Sequence, residues 1–329
     1  MIRRRSLIGS AALATAWPLA RPSVALAQGG WPERTIRLVV PYPPGGSTDV
    51  VTRLYAERMG ALLGQPVVIE NKPGASGNIG ADAVAKAAPD GYTIGVANVS
   101  GLAINPFLFE SMPFDPVRDL AMLGMTYEMP NVAVVPAARS KATTLQDFIA
   151  WARTKPGGPT YGSTGIGQTT HLSGALLFGR TGIEATHVPY RGAAQTIPAL
   201  LAGDVDFTID NLASYVPLIR DGQMRALAVT SAQRWPTLPE VPTMAEAGLP
   251  DFVVTVWGTF IAPAATPRPV VERLNTAMRQ VAADPAFARR VLESGATVLS
   301  SSPEEAAARA ERERPMWRDL VQSSGARAG

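Results

Sequence analysis

Two stretches rich in glycine and hydroxyl side chains are the strongest candidates for chemistry in this sequence. The first runs from Pro41 to Asp49 (PYPPGGSTD), directly after the apolar segment 36–40, which is typical of a buried strand. Apolar residues recur at helical spacing after it, so Ser47 and Thr48 lie where a helix should begin. A helix start carries unpaired N–H groups and a partial positive charge, which favours an anion. The stretch is therefore either an anion site or an ordinary capped turn between a strand and a helix.

A second stretch of the same kind favours the anion site. Residues 160–172 (TYGSTGIGQTTHL) again place glycine, serine and threonine before a helix. After each stretch come a helix, a strand and a Gly-Ala loop, 28 residues on from Gly46 to Gly74 and 30 residues on from Gly162 to Gly192. These matching frames predict two lobes of similar topology, with two unrelated α/β units as the alternative.

Several other side chains lie near predicted strand ends or helix starts, where ligands bind in parallel sheets. Asn98 and Ser100 follow one such strand. His171 would either face a ligand or pack, and Arg191 would either pair with a ligand or lie in solvent. Asp49 would either cap its own helix or accept a hydrogen bond from a ligand hydroxyl, amine or water. The predicted ligand-binding residues are Tyr42, Gly45, Gly46, Ser47, Thr48, Asp49, Asn98, Ser100, Ser163, Thr164, Gly165, Gly167, Gln168, Thr169, His171, Tyr190, Arg191, Gly192 and Asp210.

The sequence lacks the signatures of the common enzyme and cofactor sites. It has no cysteine and two histidines, His171 and His187, and no cluster of histidines and acids at metal-ligand spacing. Neither glycine stretch carries the lysine of a phosphate-binding loop or the third glycine of a dinucleotide-binding turn. Ser163 does not lie in a G-x-S-x-G elbow. We therefore predict no catalytic residue, no metal and no cofactor.

The first 27 residues have the features of a secretory signal peptide. Three arginines at 3–5 form a basic start, a short and mostly apolar run follows, and residues 25–27 (ALA) fit a cleavage site. The leader fits either the general or the twin-arginine export route. It holds four of the 30 basic residues and no acid, so the remaining chain has 26 basic and 27 acidic residues. This balance does not favour nucleic acid as a partner, and we expect a periplasmic protein that begins at Gln28.

Strands and helices alternate along the rest of the chain, which predicts an α/β fold of mainly parallel sheets flanked by helices. A chain of 329 residues, 46% of them apolar, exceeds what one core usually holds, so two lobes are expected. The chain would start in one lobe, build the other and return, crossing near 126–132 and 228–260 through two hinge segments. Lobe 1 is expected to comprise 28–129 plus 251–329, and lobe 2 to comprise 130–250.

Five motifs along the chain carry a family resemblance. They are 41–49 (PYPPGGSTD), 70–80 (ENKPGASGNIG), 162–163 with 171–172 (GS and HL), 188–192 (VPYRG) and 201–206 (LAGDVD). They resemble the Bug receptors, the periplasmic solute receptors of tripartite tricarboxylate transporters, over essentially the whole chain after the leader. The resemblance implies a two-lobed periplasmic-binding-protein architecture of the Venus-flytrap type. In that family a ligand carboxylate is typically held between the loops that match 42–49 and 163–169, partly through ordered waters.

The function implied by the resemblance is capture of a small carboxylate and its delivery to the integral-membrane permease subunits of a tripartite transporter. A monomer is expected, with no nucleic-acid partner. One alternative is a binding module that signals to a membrane sensor. A second, enzymatic alternative is a hydrolase or isomerase that uses Asp49 or His171.

Overall fold

The computed structural model describes residues 30–328, so the predicted signal peptide lies outside the described residues. The strands are β1 (Ile36–Val40), β2 (Val67–Asn71), β3 (Thr93–Asn98), β4 (Leu120–Pro136), β5 (Thr160–Ser163), β6 (Thr186–Pro189), β7 (Phe207–Asn211), β8 (Met224–Val229), β9 (Thr255–Pro263) and β10 (Thr297–Val298). The α-helices are α1 (Ser47–Leu63), α2 (Asn78–Ala85), α3 (Asn105–Leu108), α4 (Leu145–Thr154), α5 (Thr169–Thr181), α6 (Ala193–Ala202), α7 (Leu212–Arg220), α8 (Arg268–Ala282), α9 (Pro285–Glu293) and α10 (Pro303–Ser324). None of these helices is both long and apolar enough to cross a membrane.

The strands form two parallel groups that are joined by antiparallel strands. In the first group β2, β1 and β3 are parallel, and in the second β6, β5 and β7 are parallel. Between the groups, β9 runs antiparallel to β3 and to β4, and β4 runs antiparallel to β7 and β8. The predicted two-lobed α/β architecture is thus confirmed. Among the named strands, only these three in each half pair in parallel. The strands between the two groups, β4 and β9, and the strand β8 beside β4 run antiparallel to the strands they pair with.

Strand β4 belongs to both halves. Its residues Leu120–Pro130 pair with β9, whereas Asn131–Pro136 pair with β7 and β8. The run of apolar residues after Asn131 predicts a strand over 131–135, but the strand in the structure begins at Leu120. The pairing with β9 skips Leu123 and Thr126, and such bulges hide the alternation of apolar and polar residues on which the prediction depends.

The second connection between the halves lies beside β4. β8 ends at Val229 and β9 begins at Thr255. Between them, the Thr230 hydroxyl lies 2.6 Å from the Val254 carbonyl oxygen and 3.1 Å from the Asn131 carbonyl oxygen. The two connections between the halves therefore contact each other at Thr230, as expected for two hinge segments.

Candidate functional site

The two glycine-rich stretches face each other across one cavity of about 60 Å³. Nine of the predicted ligand-binding residues line this cavity, and so do six that were not predicted. The nine are Tyr42, Gly46, Ser47, Thr48, Asn98, Thr164, Gln168, Arg191 and Gly192, and the six are Pro43, Pro44, Ala193, Ala194, Asn211 and Ser214. The other ten predicted residues do not line it: Gly45, Asp49, Ser100, Ser163, Gly165, Gly167, Thr169, His171, Tyr190 and Asp210.

The N-terminus of α1 opens into the cavity without a capping side chain. Its N-cap residue is Gly46, in an extended conformation, and no side chain among the described residues caps this helix. The N–H groups of Ser47 and Thr48 have no hydrogen-bond partner within residues 30–328. These two donors and the helix dipole can therefore be complemented by an anion.

Three more helices begin at the same cavity. α5 starts after Gln168, α6 after Gly192 and α7 after Asn211, and in the described chain no side chain caps any of the three. Helices α4, α9 and α10, whose N-termini do not line the cavity, are capped by Thr144, Asp284 and Ser302, whereas α2, α3 and α8 also begin elsewhere and have no side-chain cap among residues 30–328. The feature that distinguishes α1, α5, α6 and α7 is that all four begin at one cavity. Four uncapped helix N-termini around one cavity make a region of positive potential.

In the second glycine-rich stretch, most backbone N–H groups are already used. The N–H of Thr164 donates to Thr170 Oγ1, that of Gly165 to Ser163 Oγ, and that of Gly167 to His171 Nδ1. At Gly167 a Cβ atom would lie 2.1 Å from Leu108 Cδ2, so this glycine allows close packing rather than ligand contact. The stretch therefore offers the cavity its side chains, chiefly Thr164 and Gln168. Among the described residues that line the cavity, free N–H groups come from the first two residues of α1 and from Ala193 and Ala194 at the start of α6.

Asp49 faces away from the cavity and holds the first stretch in shape. It is 1% exposed, and its carboxylate accepts hydrogen bonds from the Gly45 N–H (2.9 Å), Arg53 Nε (2.8 Å) and Asn71 Nδ2 (2.8 Å). Burial raises its pKa, but these hydrogen bonds and the Arg53 charge outweigh burial, so the pKa lies below its usual value. Asp49 therefore neither caps the N-terminus of α1 nor lines the cavity, and its carboxylate instead joins the loop at Gly45 to Arg53 and Asn71.

The two histidines form a stacked pair behind the second stretch. The rings of His171 and His187 lie 3.8 Å apart, centroid to centroid, and His187 Nε2 is 2.6 Å from Ser163 Oγ. Burial lowers the pKa of His171 to about 4 and, together with the neighbouring His171, that of His187 to about 3. Both rings are therefore neutral near pH 7 and act as packing and hydrogen-bonding groups.

Polar side chains from the first half complete the wall. The Tyr42 hydroxyl donates to Asn98 Oδ1 (2.7 Å), which also accepts the Ser100 N–H (3.0 Å). Burial raises the pKa of Tyr42, so its hydroxyl stays protonated. Because Asn98 Oδ1 already accepts two hydrogen bonds, the Asn98 amide offers its Nδ2 donor to the cavity.

Side-chain hydrogen bonds join the halves. Ser47 Oγ on α1 lies 2.7 Å from Ser214 Oγ on α7, and Ser76 Oγ donates to the Ile166 carbonyl oxygen at 2.9 Å. Arg191 is the one charged residue in the described lining, and its guanidinium has no ion-pair partner within residues 30–328. No group of three or more acids and histidines in this part of the chain could hold a metal ion.

The fold and the site together define the class of protein: a two-lobed solute receptor whose cleft favours an anion. The chain belongs to the family described as "Tripartite tricarboxylate transporter family receptor", which matches residues 51–325. This confirms the resemblance found in the sequence. The family is one of receptors, which also confirms the prediction of a binding protein rather than an enzyme.

Relatives and solved structures agree with this assignment. The chain is similar to BugT of Bordetella pertussis, with 36% identity over 298 residues, 90% of this chain and 91% of BugT. It is 38% identical to R. palustris Rpa4515 solved with adipate, with a TM-score of 0.88 and coverage of 91% of this chain and 99% of that one. It is 32% identical to MatC from Rhodopseudomonas palustris with bound malate, with a TM-score of 0.82 and coverage of 88% and 100%.

Proposed function

We propose that this protein is a periplasmic receptor that captures a small carboxylate between its two halves and delivers it, as a monomer, to the permease subunits of a tripartite transporter. The observation that carries the proposal is the convergence of four uncapped helix N-termini on one cavity. The adipate and malate seen in two similar proteins support a carboxylate as the ligand. Delivery to a permease is inferred from the family to which the chain belongs.

The groups at the cavity are sufficient for useful affinity. Each helix N-terminus favours an anion by roughly 0.3–1 kcal/mol when exposed and up to about 2 kcal/mol when partly buried. Each hydrogen bond to a charged acceptor adds about 1.5–3 kcal/mol. After the free-energy cost of association, a few such contacts support micromolar binding, about −8 kcal/mol.

The ligand and the role of the receptor can be tested together. Protein purified from the periplasm should release a small carboxylate on denaturation, detected by mass spectrometry. Deletion of the gene should abolish uptake of that compound. Normal uptake together with loss of a transcriptional or chemotactic response to the compound would instead favour a receptor that signals to a membrane sensor.

We expect ligand binding to bring the two lobes together, because the α1 terminus lies in one lobe and the α6 and α7 termini in the other. The change of β4 partners after Pro130 supports lobes of 28–129 plus 251–329 and 130–250. Small-angle scattering should show a smaller radius of gyration at saturating ligand than without ligand. An unchanged scattering profile would contradict a closing hinge.

The export expectation has its own test. The basic start, the short apolar run and the Ala25-Leu26-Ala27 site support cleavage after Ala27. N-terminal sequencing of protein from the periplasmic fraction should begin at Gln28. A chain that still begins at Met1 would contradict it.

A further inference from the structure

Asp210 is a fully buried carboxyl beside the ligand cavity, and the proposed function gives it no role. It lies on β7, immediately before the N-cap residue of α7, and its exposure is 0%. Its Oδ1 accepts the Asn211 N–H (2.6 Å) and its Oδ2 lies 3.1 Å from the Tyr215 hydroxyl. Within residues 30–328 it forms no ion pair.

The surroundings of Asp210 are apolar. Asp210 is paired with Val132 on the neighbouring β4, so the two side chains lie on the same face of the sheet. Val132, Leu212 and Tyr215 belong to one buried apolar cluster on that face. A carboxylate in such an environment loses hydration that two neutral donors replace only in part.

Charged groups on the elements around Asp210 lie elsewhere. α6 and the 131–136 part of β4 contain no charged residue. On α7 the titratable groups are Tyr215 and, at the far end of the helix, Arg220. On β8, Arg225 donates to the carbonyl oxygens of Ser140 and Ala142.

Of the other titratable groups nearby, Arg234 and Glu246 on the segment after β8 pair with each other, and Tyr161 and the two histidines face another direction. Tyr161 on β5 is paired with Phe207, which points to the opposite side of β7 from Asp210 because side chains alternate along a strand. The histidine pair contacts Tyr161 and so lies on that opposite side. Arg191 lies in the loop before α6 and lines the cavity.

Asp210 and a bound carboxylate compete for the same helix end. Asn211 and Ser214, the N-cap residue and the third residue of α7, line the cavity, so an anion bound there lies within one helical turn of Asp210. The α7 N-terminus offers only about half a positive charge, so it stabilises Asp210 and a second anion together less well than it stabilises either one alone. The other helix N-termini and Arg191 face the ligand in the cavity, whereas the carboxyl of Asp210 forms hydrogen bonds within the described chain only at the start of α7. Burial already raises the pKa of Asp210 to about 7, so protonation is accessible near neutral pH.

We infer that Asp210 sets the charge that this site accepts: it holds a proton when a carboxylate is bound, so that binding takes up one proton and weakens as the pH rises. The inference rests on the proposed carboxylate function. Asp210 acts through its charge and through α7, and it is therefore a positioning residue rather than a ligand contact. The proton comes from the buffer, and no bond in the ligand is made or broken.

The test compares wild type with Asp210→Asn, using adipate and malate as probes. Asparagine imitates the protonated acid, since its oxygen can accept the Asn211 N–H and its nitrogen can donate to the Tyr215 hydroxyl. Between pH 7 and pH 9, where both probes are fully ionised, the wild-type Kd should rise by roughly 10- to 50-fold, whereas that of the variant should change by less than about twofold. Calorimetry in buffers of different ionisation enthalpy should show uptake of close to one proton near pH 8 by wild type and none by the variant. Equal pH profiles for the two proteins would overturn the inference.

A ligand-free measurement separates this inference from the proposed function. Because a raised pKa means that the folded state holds a proton that the unfolded state has lost, wild type should lose stability relative to Asp210→Asn as the pH rises from about 4 to about 7. The histidine pair acts in the opposite sense but is present in both proteins, so it cancels in the difference. A melting-temperature difference that does not change with pH would overturn the role of Asp210. If the melting-temperature difference still changed with pH but neither probe bound to either protein, the carboxylate function would be contradicted instead.

Discussion

Replacing Ser47 by proline should weaken carboxylate binding by about 10- to 100-fold and leave the fold intact. Ser47 is the first residue of α1, a position where proline is well tolerated, and the extended Gly46 (φ −72°, ψ 162°) suits a residue before proline. The substitution removes one N–H that faces the cavity. A lost hydrogen bond to a charged acceptor costs about 1.5–3 kcal/mol, which gives the expected loss of affinity.

The matched control for this variant is Ser47→Ala, which keeps the N–H and removes only the hydroxyl that contacts Ser214. Calorimetry with the same carboxylate should show a several-fold smaller loss of affinity for alanine than for proline. Thermal melts without ligand should lie close to wild type for both. If proline and alanine weakened binding equally, the backbone N–H of Ser47 would not be a ligand contact.

Replacing Asp49 by alanine should lower the free energy of unfolding by about 2–4 kcal/mol. The carboxylate is buried and joins the Gly45 N–H, Arg53 and Asn71, so its removal leaves the loop before α1 without its anchor. The cost is below that of a fully buried pair because the Arg53 side chain is 49% exposed and can be hydrated. Urea unfolding without ligand measures the change.

Glu272→Ala is the control for Asp49→Ala. Glu272 forms the same type of pair with an arginine four residues away, Arg268, but both side chains are about 60% exposed. Surface pairs contribute about 0.2–1 kcal/mol, so this variant should unfold close to wild type. If Asp49→Ala kept full stability and lost only ligand binding, Asp49 would act as a direct ligand contact and the structural role assigned to it would be wrong.

The first glycine-rich stretch could be interpreted from sequence because its signals are local. The strand 36–40 and the helix start at Ser47 follow from apolar spacing and from residue types that favour strand ends and helix starts. The same local reasoning identified Gly46, Ser47 and Thr48 as facing an anion site, and all three line the cavity. The pattern leaves the role of Asp49 open between capping and ligand contact, because its inward direction depends on Asn71 from another strand.

The other side of the cavity was predicted less well because it depends on contacts that are distant in sequence. α7 had no predicted counterpart, although Asn211 directly after a buried strand is a residue type that favours helix starts. Recognising that signal would have placed Asn211 and Ser214 at the cavity. In the second stretch the sequence could not show that Thr170, Ser163 and His171 already accept its N–H groups.

The measurement that tests the central claim most directly is a comparison of acids with their amides. A panel of small mono- and dicarboxylates, including adipate and malate, would be titrated beside the corresponding neutral amides by thermal shift and then by calorimetry. At a ligand concentration about 100 times Kd, a bound acid should stabilise the fold by about 2.7 kcal/mol. Its amide should produce no shift, because a neutral group does not complement four helix N-termini. Amides that stabilise the protein as strongly as the acids would contradict a carboxylate site built from helix N-termini.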